Sequence, residues 1–145
     1  MSGGRGLKTD LRISVLPDFA QLAALHAAAS GSLSEPAYVP GPEDAQMWGR
    51  VLARSLCWVT AHEGGRLIGF VNVAWDGGIH AFLLDTAVHP EYGRRGLGTQ
   101  LVQAAAQEAA RLGAGWLHVD YEPHLEGFYR GCGFGETRAG LLRLC

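Results

Sequence analysis

From His89 to Thr99 the chain reads His-Pro-Glu-Tyr-Gly-Arg-Arg-Gly-Leu-Gly-Thr, with three glycines and two arginines between Gly93 and Gly98. The run lies where an apolar, β-prone stretch gives way to one of helical periodicity. The first N–H groups of a helix lack internal partners and carry the positive end of its dipole, so such a junction can hold an anion. Glycine lets the main chain approach that anion closely, and Arg94 and Arg95 add charge. Two other glycine loops do not fit. No Lys-Ser/Thr pair follows Gly98, and Gly93, Gly96 and Gly98 stand at 1-4-6 spacing where the dinucleotide fingerprint uses 1-3-6. By its residues alone the turn is either a pyrophosphate cradle or a glycine-rich helix start without a ligand.

The elements that must position this turn follow from patterning. Residues 1–9 read as a loose tail ahead of a single domain spanning 10–145. Asp10–Leu16 alternates Leu11, Ile13 and Val15 with polar neighbours, the mark of a half-buried strand. Pro17 and Asp18 open an Ala/Leu-rich helix to about Ala29, and Pro42-Glu43-Asp44 opens a second to about Arg54. Ser30–Gly41 between them reads as a loop. Leu56–His62, Arg66–Trp75 and Ile79–Val88 form an antiparallel meander, punctuated at Glu63-Gly64-Gly65 and Asp76-Gly77-Gly78.

After the glycine turn, Gln100–Leu112 is helical. Gln100, Gln103, Gln107 and Arg111 make a polar stripe, and Leu97, Leu101, Ala105, Ala109 and Leu112 line the other side. Trp116–Tyr121 is a strand, Pro123 opens a short helix to about Arg130, and Glu136–Leu144 is expected to be a final strand pair or one bent strand. The fold class is therefore α/β, with a mixed, mostly antiparallel central sheet and flanking helices. The strand–helix–strand from Ile79 to Tyr121 is a right-handed parallel crossover.

Composition narrows the function classes. With 145 residues and a formal charge of -2, the chain has the size of one domain and no basic surface for nucleic acid. Its longest apolar runs are too short to span a bilayer. Cys57, Cys132 and Cys145 share no metal-ligand spacing, so no metal is expected. The opening residues carry no apolar run of a signal peptide, and a reducing cytoplasm fits.

Val88-His89-Pro90-Glu91-Tyr92 followed by Arg95-Gly96-Leu97-Gly98-Thr99 resembles the signature of the GNAT superfamily of N-acetyltransferases. Phe128-Tyr129-Arg130-Gly131-Cys132-Gly133-Phe134 is similar to that family's second hallmark, and Ile68-Gly69-Phe70 also resembles the family. These motifs span residues 56–134 in the family's order. Two positions depart from it: Gly93 then Arg94 inverts the usual order of a Gln or Arg before Gly, and Glu122 stands where the family often has an Asn.

The resemblance implies acetyl-coenzyme A as cosubstrate, its pyrophosphate on Arg94, Arg95, Gly96, Leu97, Gly98 and Thr99. The pantetheine arm would pair like a strand with the backbone near Ala87 and Val88, in a gap where Leu84–Val88 and Trp116–Tyr121 splay apart. The implied reaction is direct attack of an amine on the thioester. Deprotonating a lysine-like amine at pH 7 costs about 4.6 kcal/mol, so a base is needed. Asp85 and Asp120 are the carboxylate candidates.

Asp85 alternates with Leu83 and Ala87 and so faces away from Leu84 and Val88. It is either a base of raised pKa or a structural acceptor. Asp120 is a base or caps the turn before Pro123. His118 shares a face with Asp120 and is a proton carrier or a partnered core histidine. His89 and His124 fit surface or acceptor-site positions. By the resemblance, Tyr129 lies near the thioester sulfur. Full proton transfer from a phenol to a thiolate is uphill by about 2 kcal/mol, so hydrogen-bond donation is the role assigned to it.

Two readings compete with catalysis: a non-catalytic acyl-coenzyme A sensor, and a domain that holds another nucleotide on the same turn. The acceptor would be a small-molecule or peptide amine that the residues do not identify. Its pocket would draw on Ser30–Gly41, Trp75–Ile79 and the C-terminal strands. Trp48, Trp75 and Tyr38 form either an aromatic wall for it or part of the core. Homodimers are common in the family.

Overall fold

A computed structural model describes residues 9–30 and 40–145, so the expected tail before Thr9, most of the Ser30–Gly41 loop and Tyr38 lie outside the described residues. Five strands form one sheet in chain order: β1 (Thr9–Ile13), β2 (Cys57–Glu63), β3 (Arg66–Trp75), β4 (His80–Val88) and β5 (Trp116–His118). The first four run antiparallel, and β5 joins β4 in parallel. Helices α1 (Phe19–Ala29) and α2 (Pro42–Ala53) precede β2, α3 (Leu97–Arg111) connects β4 to β5, and α4 (Glu126–Gly131) follows.

Local chemistry starts the two leading helices where the sequence places them. The Asp18 carboxylate accepts from the Gln21 N–H at 2.9 Å, capping α1. Pro42 occupies the first turn of α2, and Asp44 accepts from the Gly41 N–H at 2.8 Å. The two helices lie on one face of the sheet, where Leu22, Leu25, Trp48 and Leu52 pack on Phe70 and Ala87. On the other face, Leu97, Leu101, Val102 and Ala105 of α3 pack on Val59, Ile68, Val71 and Leu83. Gly69 sets how closely α3 approaches. A Cβ there would stand 2.9 Å from Leu101 Cδ1 and 3.2 Å from Ala61 Cβ.

Three expectations are corrected. Helix α3 begins at Leu97, three residues before the first glutamine of its polar stripe, because Gln100 N–H already donates to Gly96 C=O at 3.1 Å. Strand β5 ends at His118 instead of Tyr121, since its pairing with β4 stops at Phe82 opposite His118. Residues 136–144 form no strand: they are exposed throughout, with no main-chain hydrogen bond to any described residue. Apolar, β-prone residues mark a segment able to pair, but pairing needs a sheet edge, and the chain brings none to this segment.

Candidate active site

The pairing of β3 with β4 contains one irregularity. Phe70 faces Ala87 and Asn72 faces Leu84, so Val71 alone opposes both Asp85 and Thr86. Asp85 takes φ 59, the left-handed conformation that a β-bulge of this kind requires. The bulge breaks strict alternation, so that Leu83 and Asp85, two positions apart, lie on opposite faces. Thr86 turns toward α3 and α4, where it lines the same cleft as Tyr129. Asp85 turns toward α1, its Oδ1 3.6 Å from His26 Nε2. Grouping Asp85 with Leu83 and Ala87 by period 2 is therefore corrected: Leu83 packs with the α3 core and Ala87 with the α1–α2 core.

Beyond Phe82 the outer edge of β4 runs on without β5 beside it, so the two strands part toward Val88. A cleft of about 330 Å³ opens there, walled by Thr86, Val88 and Tyr129 at one end and by Gly93, Arg94 and Gly96–Thr99 at the other. The glycine turn reaches this shape through two residues of positive φ, Arg94 at 62° and Gly96 at 75°. Gly96 caps α3 without a side-chain hydrogen bond, which leaves the first N–H groups of the helix free for a ligand. Phe128 packs against this turn, since a Cβ on Gly98 would lie 3.1 Å from its ring.

Tyr129 sits in an aromatic box. Its ring stacks on Tyr121 at 4.9 Å and meets Phe128 and Phe134 edge-on. Burial pushes its pKa above the ordinary phenol value, against a smaller opposing effect of Thr86. The hydroxyl therefore keeps its proton at neutral pH and can donate it in a hydrogen bond.

The other candidates are dispersed. Arg94 lines the cleft, but the Arg95 guanidinium lies over the Tyr92 ring at 5.0 Å. Ala87 is buried on the α1–α2 side and pairs with Phe70. Asp120 is exposed beyond β5, and its charge contributes a small upward push at Tyr129. His118 is exposed, 2.8 Å from His80 and stacked on Phe82. His89 caps the Pro90–Tyr92 turn by accepting from Glu91 N–H. Trp48 is core, whereas Trp75 is partly exposed.

A second cavity of about 220 Å³ lies across the sheet between α1 and α2, bounded by His26, Ser30, Asp44, Met47 and Trp48. His26 belongs to both this cavity and the bulge, with its ring 5.1 Å from that of Trp48. Sequence reasoning passed over His26 and Thr86. The signal for His26 was a lone imidazole in an otherwise Ala/Leu helix, and Thr86 gave none, because no motif includes it.

Residues 22–134 match the model of the Acetyltransferase (GNAT) family. The chain belongs to that family. Solved structures of similar fold include the aminoglycoside N-acetyltransferase AAC(6')-Iy in complex with CoA, at 21% identity, TM-score 0.75, and coverage of 99% of this chain and 100% of that one. A GNAT family acetyltransferase from Streptococcus pneumoniae is similar at 22% identity and TM-score 0.74, covering 95% and 98% of the two chains. Glucosamine-6-phosphate N-acetyltransferase from Arabidopsis thaliana is similar at 14% identity and TM-score 0.70, covering 92% and 97%. This GNAT acetyltransferase has the mixed sheet of its fold class, with the cleft at the parting of β4 and β5. Among its described residues, no helix is long and apolar enough to cross a membrane.

Proposed function

We propose that this GNAT acetyltransferase moves an acetyl group from acetyl-CoA to an amine of a small molecule or peptide, by direct attack in a ternary complex. The observation that carries the reading is one continuous cleft joining the free N-terminus of α3 to the Tyr129 hydroxyl. Its residues fit the donor: unpartnered amides at Gly96–Thr99 and the Arg94 cation suit a pyrophosphate. The open edge of β4 near Ala87 and Val88 suits the amides of a pantetheine arm. AAC(6')-Iy has also been solved with a bisubstrate analogue, CoA-S-monomethyl-acetylneamine, at 20% identity to this chain. Such a ligand spans donor and amine acceptor at once in that enzyme, which supports the ternary arrangement here.

Acetyl-CoA supplies the electrophilic thioester carbon. As the amine N–C bond forms and the C–S bond breaks, Tyr129 donates a hydrogen bond to the sulfur, where negative charge grows. The acceptor amine approaches from the α1–α2 face, past the bulge. Asp85 stands there, and its carboxylate with His26 beside it takes the proton that the amine releases. Asp120, exposed beyond the end of β5, is the weaker candidate for this role. Asp85→Asn is expected to lower kcat about 10²-fold, the usual worth of a general base, and to leave acetyl-CoA binding unchanged. Steady-state kinetics beside a binding titration check this, and an unaltered kcat removes Asp85 from the mechanism.

A ligand screen tests the reading itself. Acetyl-CoA at a hundred times its Kd is expected to add about 2.7 kcal/mol of stability, seen as a rise in Tm, and ATP at equal concentration is not. A panel of amines with acetyl-CoA should then release free thiol. Stabilisation by ATP instead overturns the donor assignment. Stabilisation by acetyl-CoA with no thiol released by any amine leaves a sensor and overturns catalysis.

A further inference from the structure

Along β4, Phe82 and Leu84 alternate with Ala81 and Leu83, which pack in the α3 core, so both point to the opposite face, that of α1 and α2. The register of β5 extends this face sideways, with Trp116 beside His80 and His118 beside Phe82. Among the described residues this part of the sheet lies open. Trp116 is 66% exposed, and Phe82 and Leu84 are each 37% exposed. A contiguous apolar patch on an otherwise packed sheet marks a binding surface.

The patch is ordered before any ligand arrives. The His118 ring stacks on Phe82 at 4.8 Å with 22° between the planes, and His80 Nδ1 stands 2.8 Å from His118 Nε2, which fixes the imidazole. Two flat rings held together in this way suit a third. The patch also adjoins the reaction centre. Pairing of β4 with β5 stops at Phe82 and His118, where the strands begin to part toward the cleft. Asp85, turned to the same face, stands three residues farther along β4, about 10 Å away at the usual strand rise. A hydrogen bond to its carboxylate takes up about 3 Å of that span, which leaves roughly 7 Å for an arm of about three or four carbons.

We propose that the acceptor is a primary amine carried on a short chain from a flat, uncharged ring. Phe82 and His118 receive the ring, Trp116 bounds its seat on the outer strand, and the Asp85 carboxylate receives the ammonium group, whose charge it complements. The inference rests on the acetyl-transfer reading and adds the class of acceptor to it. It moves the aromatic wall from Trp48, which is core, to rings on β4 and β5. These three residues set selectivity and take no part in the bond exchange.

The probe is 4-phenylbutylamine, and n-butylamine, the same arm without the ring, is its control. At saturating acetyl-CoA the probe should show a KM about tenfold lower than the control. Phe82→Ala and Trp116→Ala should each raise the KM for the probe about fivefold, hold kcat within about twofold and leave the KM for n-butylamine unchanged. Phe82→Tyr keeps a ring at the same place and should keep the selectivity. If Phe82→Ala does not fold, Trp116→Ala carries the test, since that side chain is largely exposed. Calorimetric titration of both amines into CoA-saturated protein reads the ring's seat without turnover and should give the same tenfold difference, about 1.4 kcal/mol. Thiol release by no amine, with that difference intact, would strike the transfer reading alone. Equal affinity for the two amines, or a preference untouched by either variant, overturns the inference and leaves acetyl transfer standing. Faster turnover of spermidine or of a peptide N-terminus than of the probe overturns it as well.

Discussion

Tyr129→Phe is expected to lower kcat by about 10- to 100-fold while the Kd for acetyl-CoA changes less than about twofold. A hydrogen bond to a charged partner is worth roughly 1.5–3 kcal/mol, and each 1.4 kcal/mol is about a factor of ten in rate. The charge on sulfur exists only as the C–S bond breaks, so the loss falls on the transition state and spares ground-state binding. The aromatic box should survive, because Phe keeps the ring that stacks on Tyr121 at 4.9 Å. Because burial raises the Tyr129 pKa, the unaltered enzyme should lose no activity through this group at neutral pH. The variant's kcat measured at saturating acetyl-CoA decides the matter. An unchanged kcat would return Tyr129 to the core as a packing residue.

Gly96→Val should weaken acetyl-CoA binding at least about tenfold, equivalent to ~1.4 kcal/mol. Two effects act together. Gly96 holds φ at +75°, a conformation that costs an L-residue roughly 1–2 kcal/mol, so the turn must either store that strain or change shape. Nothing of the protein lies within 4 Å of the Cβ position, so a valine side chain projects into open space at the mouth of α3. Gly113→Ala gives the control. Its φ is +109°, at the far end of α3, so it should lower Tm without altering affinity. Calorimetric titration separates the two outcomes. Equal loss of affinity in both variants would mean that α3 as a whole, and not its N-terminal amides, governs binding.

Much of the architecture was legible because it depends on short-range rules. Asp18 and Pro42 start α1 and α2 through capping and a preset φ, which need only neighbouring residues. The meander β2–β3–β4 follows from two tight turns between β-prone runs. The glycine turn was visible as a strand–helix junction, and its link to Tyr129 came from two motifs in register. Both motifs line the cleft, with Phe128 wedged against Gly98.

Other features required tertiary contacts. Alternation grouped Asp85 with Leu83 as well as with Ala87, and only Ala87 shares its face, since a bulge is set by how β4 meets β3 opposite Val71 and not by the β4 residues themselves. His26 became a candidate only when α1 packed over that bulge, bringing together groups 59 positions apart in the chain. The C-terminal leucines look like a strand, yet strand pairing is a property of two segments, and among the described residues none pairs with them. The sequence by itself determined the elements, the anion-holding turn and the family. Only the folded chain decided which face each polar side chain reached and which edge remained open, because those depend on long-range registers that no local preference encodes.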